Sequence, residues 1–145
     1  MQPFETLKEL PKEGFQQGVK QITNANNAVL IFDEIRTGFR VAIGGAEQYY
    51  NVFPDMACFS KAMANGYPIS VVLGKKEIML PSEKTRISGT FFPNTFPMIA
   101  AIETINEIEN RNGIEFMWNQ GKKLVQGFEK LITDFKIEAE MAGLQ

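Results

Sequence analysis

The 145-residue sequence contains no histidine. That removes the imidazole on which Ser-His-Asp and Cys-His catalytic sites depend, and any zinc site that needs imidazole. Cysteine is nearly absent as well. Cys58 has no partner for an internal disulfide, and its place inside an apolar run favours a packing role in a buried strand. Neither sign of charge is in excess: 15 basic residues face 17 acidic ones for a net charge of −2, so nothing calls for nucleic acid or an anionic membrane as partner. No apolar run approaches the roughly 20 residues that would cross a bilayer. The opening MQPFETLKEL lacks the basic-then-apolar order of a signal peptide, and together these features favour the cytoplasm. Internal repeats, low-complexity linkers and metal-ligand clusters are missing too.

What is present is ordinary for a globular chain, 44% hydrophobic and 22% charged, over a length that suits one domain. Its organising stretch is AVLIFDEIRTGFR at residues 28–40. Residues 28–32 form a short apolar run with β-branched members, which predicts a buried strand rather than a surface helix. The run ends in Asp33 and Glu34 and enters a loop through Thr37 and Gly38. Ligands of α/β sheets gather at the carboxyl ends of strands, so Asp33 is the first candidate for chemistry. Residues 55–60, DMACFS, predict a second short buried strand, with Lys61 at its end and the turn Asn65-Gly66-Tyr67-Pro68 beyond. An acid and a lysine on neighbouring strand ends can serve a pyridoxal phosphate site: the lysine forms a Schiff base with the aldehyde and the acid keeps the pyridine nitrogen protonated. Taken alone, the pair reads first as a structural salt bridge or as two solvated loop charges.

Around these strands the pattern alternates helix and strand, which suits a parallel sheet in an α/β fold. Pro3 and Pro11 discourage regular structure over residues 1–10. Phe15, Val19 and Ile22 recur at helical spacing and predict a helix over 12–25, with Pro11 at its start. Gly44-Gly45 opens a short helix at 46–50, whose Tyr49 and Tyr50 are expected to pack against the sheet. A strand at 69–73, a short helix at 75–80 and a polar loop at 81–85 follow. Met98, Ile99, Ile102, Ile105 and Ile108 give a helix over 96–110 an apolar face. A second helix spans 114–135, with Phe116, Met117, Leu124, Phe128, Leu131 and Ile132 inward and Trp118 in the core. Residues 136–145 are expected to begin a strand or turn.

The longer wording LIFDEIRTGFRVAIGGAEQYYNVFPD, followed by FSKAMANGYPISVVLGKKEIM, resembles the class III aminotransferases, which are pyridoxal-phosphate enzymes. Within that class it is similar to the branch of glutamate-1-semialdehyde aminomutases and their relatives. The likeness runs from about Gly14 to about Lys130. It implies a fold type I transferase: residues 1–112 as part of a cofactor-binding large domain with a mainly parallel sheet, and residues 113–145 as the beginning of a small C-terminal domain. It implies that Asp33 pairs with the pyridine nitrogen and that Lys61 forms the Schiff base. Thr90, in Ile87-Ser88-Gly89-Thr90, matches the threonine that reaches the cofactor phosphate, usually that of the neighbouring subunit in a homodimer, and Gly89 accompanies it. Small residues ahead of a helix N-terminus also suit an anion, with helix capping by Thr90 as the alternative. Arg36 falls beside the cofactor, where relatives often carry Gln or Met, whereas Arg40 reads as an exposed loop charge. Phe91-Phe92-Pro93-Asn94 departs from the family's Ser/Gly-rich or Trp-containing wording.

Class III aminotransferases are substantially longer than this sequence, so the resemblance implies a fragment, with the first phosphate loop and the ring-stacking aromatic lying before Met1. Two functions remain open on the residues. One is amino-group transfer, or internal amino migration, between a small-molecule amine and a carbonyl through a lysine Schiff base. The other is a catalytically inactive fragment or an interaction module that dimerises through inherited surface.

Overall fold

Strands form here where a partner is available. In the computed structural model, which describes residues 10–86 and 88–144, β1 is Ile31–Asp33, β2 is Met56–Phe59 and β3 is Val71–Gly74. β1 pairs in parallel with β2, with Asp33 opposite Cys58. β2 pairs antiparallel with β3, with Phe59 opposite Val71. β2 is the central strand, and its inward residues Ala57 and Phe59 are buried while Cys58 is half-buried. The buried strand expected at 28–32 is displaced: β1 starts at Ile31, forms one edge of the sheet, and leaves Val29 and Ile31 exposed. An edge strand has a neighbour on one side only, so a uniformly apolar run is not uniformly covered.

The helices among the described residues are α1 Phe15–Ala25, α2 Ala46–Tyr49, α3 Lys76–Met79, α4 Thr95–Asn110 and α5 Gly113–Asp134. The 3-10 turns Lys61–Ala64 and Leu80–Lys84 also belong to the described residues, and the second stands where a polar loop was expected. The irregular start read at residues 1–10 lies, apart from its last residue, outside the described residues. Residues 135–144 hold turns and irregular chain but no strand.

The core gathers Phe39, Ala57, Phe59, Met63, Ala64 and Ala101. Phe39 and Phe59 meet with ring centroids 5.7 Å apart. α4 enters this core through Ala101, with Ala100, Ile105 and Ile108 packed against it. That divides the face predicted for it, because Met98, Ile99 and Ile102 point away and are exposed. A helix apolar on two sides meets this core with only one of them. α1 behaves likewise: Val19 and Lys20 are half-buried, while Phe15 and Ile22 are exposed. α5 docks through Met117 and Trp118, which are half-buried, as is Ile132; Phe116, Leu124, Phe128 and Leu131, expected inward, are exposed.

Candidate active site

The site is built on the loop that leaves β1. Successive residues of an extended chain point to opposite sides. Asp33 therefore faces solvent and Glu34, next to it, is buried with 1% of its surface exposed. The Ile35 N–H donates to Asp33 Oδ1 at 3.0 Å. Asp33 Oδ2 receives no hydrogen bond among the described residues.

Glu34 is enclosed by donors. Ala46 N–H donates to its Oε2 at 2.8 Å and Glu47 N–H to its Oε1 at 2.9 Å, and the Thr37 hydroxyl donates to Oε2. The carboxylate thus satisfies free N–H groups at the start of α2, the work a capping residue does, from twelve residues upstream in sequence. Glu47, half-buried beside it, has its carboxyl pKa raised by burial and then by the Glu34 charge.

Lys61 follows the other strand. The Ser60 hydroxyl donates to the Ile69 carbonyl at 2.7 Å. Lys61 itself takes a left-handed conformation, with φ of 44°. For a residue with a Cβ this conformation costs about 1 kcal/mol. The burial of Met63 and Ala64 in the same turn offsets that strain. Because β1 and β2 run parallel, Asp33 and Lys61 lie at the same carboxyl edge of the sheet. The Lys61 side chain makes no ion pair or hydrogen bond among the described residues.

A groove of about 1020 Å³ opens between the loop after β1 and α5, lined by Arg36, Arg40, Lys61, Phe116 and Trp118 among others. A second groove of about 1070 Å³ shares Arg40 and Lys61 and extends to α4. Neither is lined by Asp33, Gly89 or Thr90. Thr90 is exposed in a turn five residues before α4 begins, so it does not stand at the helix N-terminus. The cap of α4 is Asn94, whose Oδ1 accepts the Phe96 N–H at 3.1 Å, which removes capping as the local role of Thr90. Asp33 and Lys61 thus lie at one sheet edge, Arg36 and Lys61 line one groove, and Gly89 and Thr90 line neither groove.

The tyrosines expected to pack on the sheet turn elsewhere. Tyr49 stacks on Trp118 at 5.9 Å between centroids, and Tyr50 packs edge-on against Tyr49 at 4.9 Å. Burial, and then the neighbouring Tyr49, raises the Tyr50 pKa. Trp118 Nε1 donates to the Val41 carbonyl at 3.0 Å, and Arg40 reaches the Met117 sulfur at 3.9 Å. These contacts hold α5 over the site loop. Trp118→Phe preserves the stack and deletes the hydrogen bond, so it is expected to cost about 1 kcal/mol in urea unfolding followed by circular dichroism. An unchanged midpoint would show that the indole N–H does not help dock α5.

Two buried carboxylates went unrecognised in the sequence. Glu34 is one. The other is Asp55, at the opposite end of β2, which accepts from Lys20 at 2.9 Å, from Lys75 at 2.7 Å and from the Leu30 N–H at 2.9 Å. Lys75 first, then the Leu30 N–H and Lys20, holds its carboxyl well below the usual carboxylate range.

Known proteins match this chain in both sequence and fold. The family profile described as Aminotransferase class-III matches residues 8–141. The 3-aminobutyryl-CoA aminotransferase of Cloacimonas acidaminovorans (strain Evry) is 38% identical over 136 residues, 93% of this chain and 33% of the relative. A glutamate-1-semialdehyde 2,1-aminomutase of Saccharolobus islandicus is 40% identical over 126 residues, 85% of this chain and 30% of the relative. Among solved structures, the PLP internal aldimine form of the FumI protein of Sphingopyxis sp. MTA144 superposes with a TM-score of 0.87 at 30% identity, covering 93% of this chain and 33% of that one. The chain spans about a third of the length of the curated relatives it matches. Class III aminotransferases use pyridoxal phosphate, and its ring nitrogen and aldehyde call for an acid and an amine of the kind that Asp33 and Lys61 present at one sheet edge. With matching sequence over nearly all its length and a matching fold, the chain belongs to the class III aminotransferases.

Proposed function

We propose that this chain is the lysine-bearing part of an enzyme that moves an amino group between a small-molecule amine and a carbonyl. The observation that carries this reading is the parallel β1–β2 pair with Asp33 and Lys61 at its carboxyl edge. Pyridoxal phosphate, when bound, supplies an aldehyde for an amine to attack and a ring that draws electrons from the substrate carbon. Asp33 would hold the ring N–H and keep that proton in place with its carboxylate, whose Oδ1 accepts the Ile35 N–H. Lys61 would hold the cofactor through its side-chain amine, and the same amine, when free, would move a proton at the substrate carbon. Arg36, in the wall of the groove, adds positive charge beside the cofactor.

Gly89 and Thr90 serve the phosphate in the site of a second copy. The exposed apolar surface of Phe91, Phe92, Phe96 and Ile99 beside them supports this, because it suits a homodimer contact. In this reading residues 1–112 belong to the large domain, residues 113–145 begin the small one, and the setting is the cytoplasm. That same apolar surface also favours a second reading, a dimerising module without catalysis.

Titration with pyridoxal phosphate, followed by visible absorbance, separates the two. The wild-type chain is expected to develop a cofactor band that Lys61→Ala lacks. Identical spectra for both, with a dimer by light scattering, would support the module instead.

A further inference from the structure

We propose that Glu34 is a positioning residue for Asp33, fixing the direction of its carboxylate through the peptide the two share with Ile35. The inference rests on the role proposed for Asp33. Asp33 is exposed, and its side chain is oriented by one bond alone among the described residues, the one from Ile35 N–H. That N–H belongs to the peptide joining Glu34 to Ile35. A peptide unit is planar, so whatever holds the Glu34 carbonyl also aims the Ile35 N–H. The Glu34 carbonyl accepts the Gly38 N–H at 2.8 Å, and the Glu34 N–H donates to the Cys58 carbonyl at 2.8 Å. Its side chain is anchored by Ala46, Glu47 and Thr37.

All four polar atoms of Glu34 are therefore engaged, each anchored in β2, the following turn or α2. The chain makes room for this arrangement. A Cβ on Gly45 would lie 2.3 Å from Glu34 Oε2, and one on Gly38 would lie 2.5 Å from the Phe59 ring. Glu34 contacts neither groove, so its influence on the chemistry passes through Asp33.

The test is amide hydrogen exchange by NMR on the whole cofactor-free chain, followed by borohydride labelling with pyridoxal phosphate. In Glu34→Gln, whichever way the amide turns, its NH2 faces a backbone N–H of Ala46 or Glu47. The Ile35 amide is expected to exchange about tenfold faster relative to the β2 amides, as expected for local opening on loss of charge-assisted bonds. Glu34→Asp, which restores a carboxylate, is expected to recover part of that protection. The control is Asp55→Asn, which weakens the opposite end of the sheet and is expected to leave the Ile35-to-β2 ratio unchanged. If Glu34→Gln does not fold, Thr37→Val removes the hydroxyl donor alone and is expected to loosen Ile35 severalfold. Ile35 exchange that merely tracks the β2 amides in these variants, as it does in Asp55→Asn, would overturn the proposal. Selective loosening of Ile35 in a chain that takes no label at Lys61 would uphold the positioning and remove the catalytic reading of Asp33.

Discussion

Gly45→Ala is expected to destabilise the chain by about 3 kcal/mol, enough to remove a large share of the 5–15 kcal/mol typical of a folded domain. Gly45 precedes α2 with φ of 73° and ψ of −147°, a region open essentially to glycine alone. The added methyl would also sit 2.3 Å from Glu34 Oε2 and 2.7 Å from Glu34 Cδ. Glu34 has no room to retreat, because α2, Thr37 and its own backbone partners hold it. The backbone would have to move, and the bonds from Ala46 and Glu47 would break with it. The contrast is Gly127→Ala, inside α5, where an added Cβ meets nothing within 4 Å. That change is expected to stabilise by about 0.8 kcal/mol through helix propensity. Urea midpoints moving in opposite directions would support the account, and a Gly45→Ala midpoint equal to wild type would contradict it.

Asp55→Ala carries the second large effect, a loss of about 3 kcal/mol at neutral pH, the cost of removing a buried carboxylate that accepts from two lysines and a backbone N–H. One carboxylate here joins α1 through Lys20, the approach to β1 through Leu30, the start of β2, and the end of β3 through Lys75. The contribution depends on pH in a defined direction. The folded-state pKa is depressed, so the carboxyl binds its proton more readily in the unfolded chain. Its stabilisation is complete above the unfolded value of about 3.9 and is lost as the pH falls below that value and through the folded one. Wild type should therefore lose stability more steeply than Asp55→Ala between neutral pH and about pH 3. Parallel curves would show that Asp55 is not the acid-sensitive clamp. Lys75→Ala should cost far less, because Lys75 is exposed and its pair is screened by solvent.

Strand positions were legible where the sequence gives a short apolar run bounded by turn residues. DMACFS yields β2, and Lys61 follows it directly. α4 and α5 begin and end within a residue or two of their periodic patterns. Which face of each helix turns inward was less legible. Met98, Ile99 and Ile102 share the apolar character of Ala101 and Ile105, and periodicity cannot choose between two apolar sides when the core covers one. Asp33 and Lys61 were singled out because ligand sites sit at strand ends. Glu34 and Asp55 were missed because their partners come from distant segments: Ala46 and Glu47 for one, Lys20 and Lys75 for the other. The available signal for Glu34 was a threonine three residues on and a glycine pair ahead of a helix that carries no cap residue of its own. Tyr49 and Tyr50 were assigned to the sheet because nothing local identifies Trp118, 69 residues beyond Tyr49, as their neighbour.

The most direct test of the central claim, that Asp33 and Lys61 form one half of a cofactor site, is to find where pyridoxal phosphate attaches. The purified chain would be mixed with the cofactor, reduced with borohydride, digested and mapped by mass spectrometry, alongside Lys61→Ala and Asp33→Ala. The account predicts label concentrated on Lys61, absent from that position in Lys61→Ala, and reduced in Asp33→Ala. Label spread evenly over the exposed lysines, unchanged by either substitution, would contradict it.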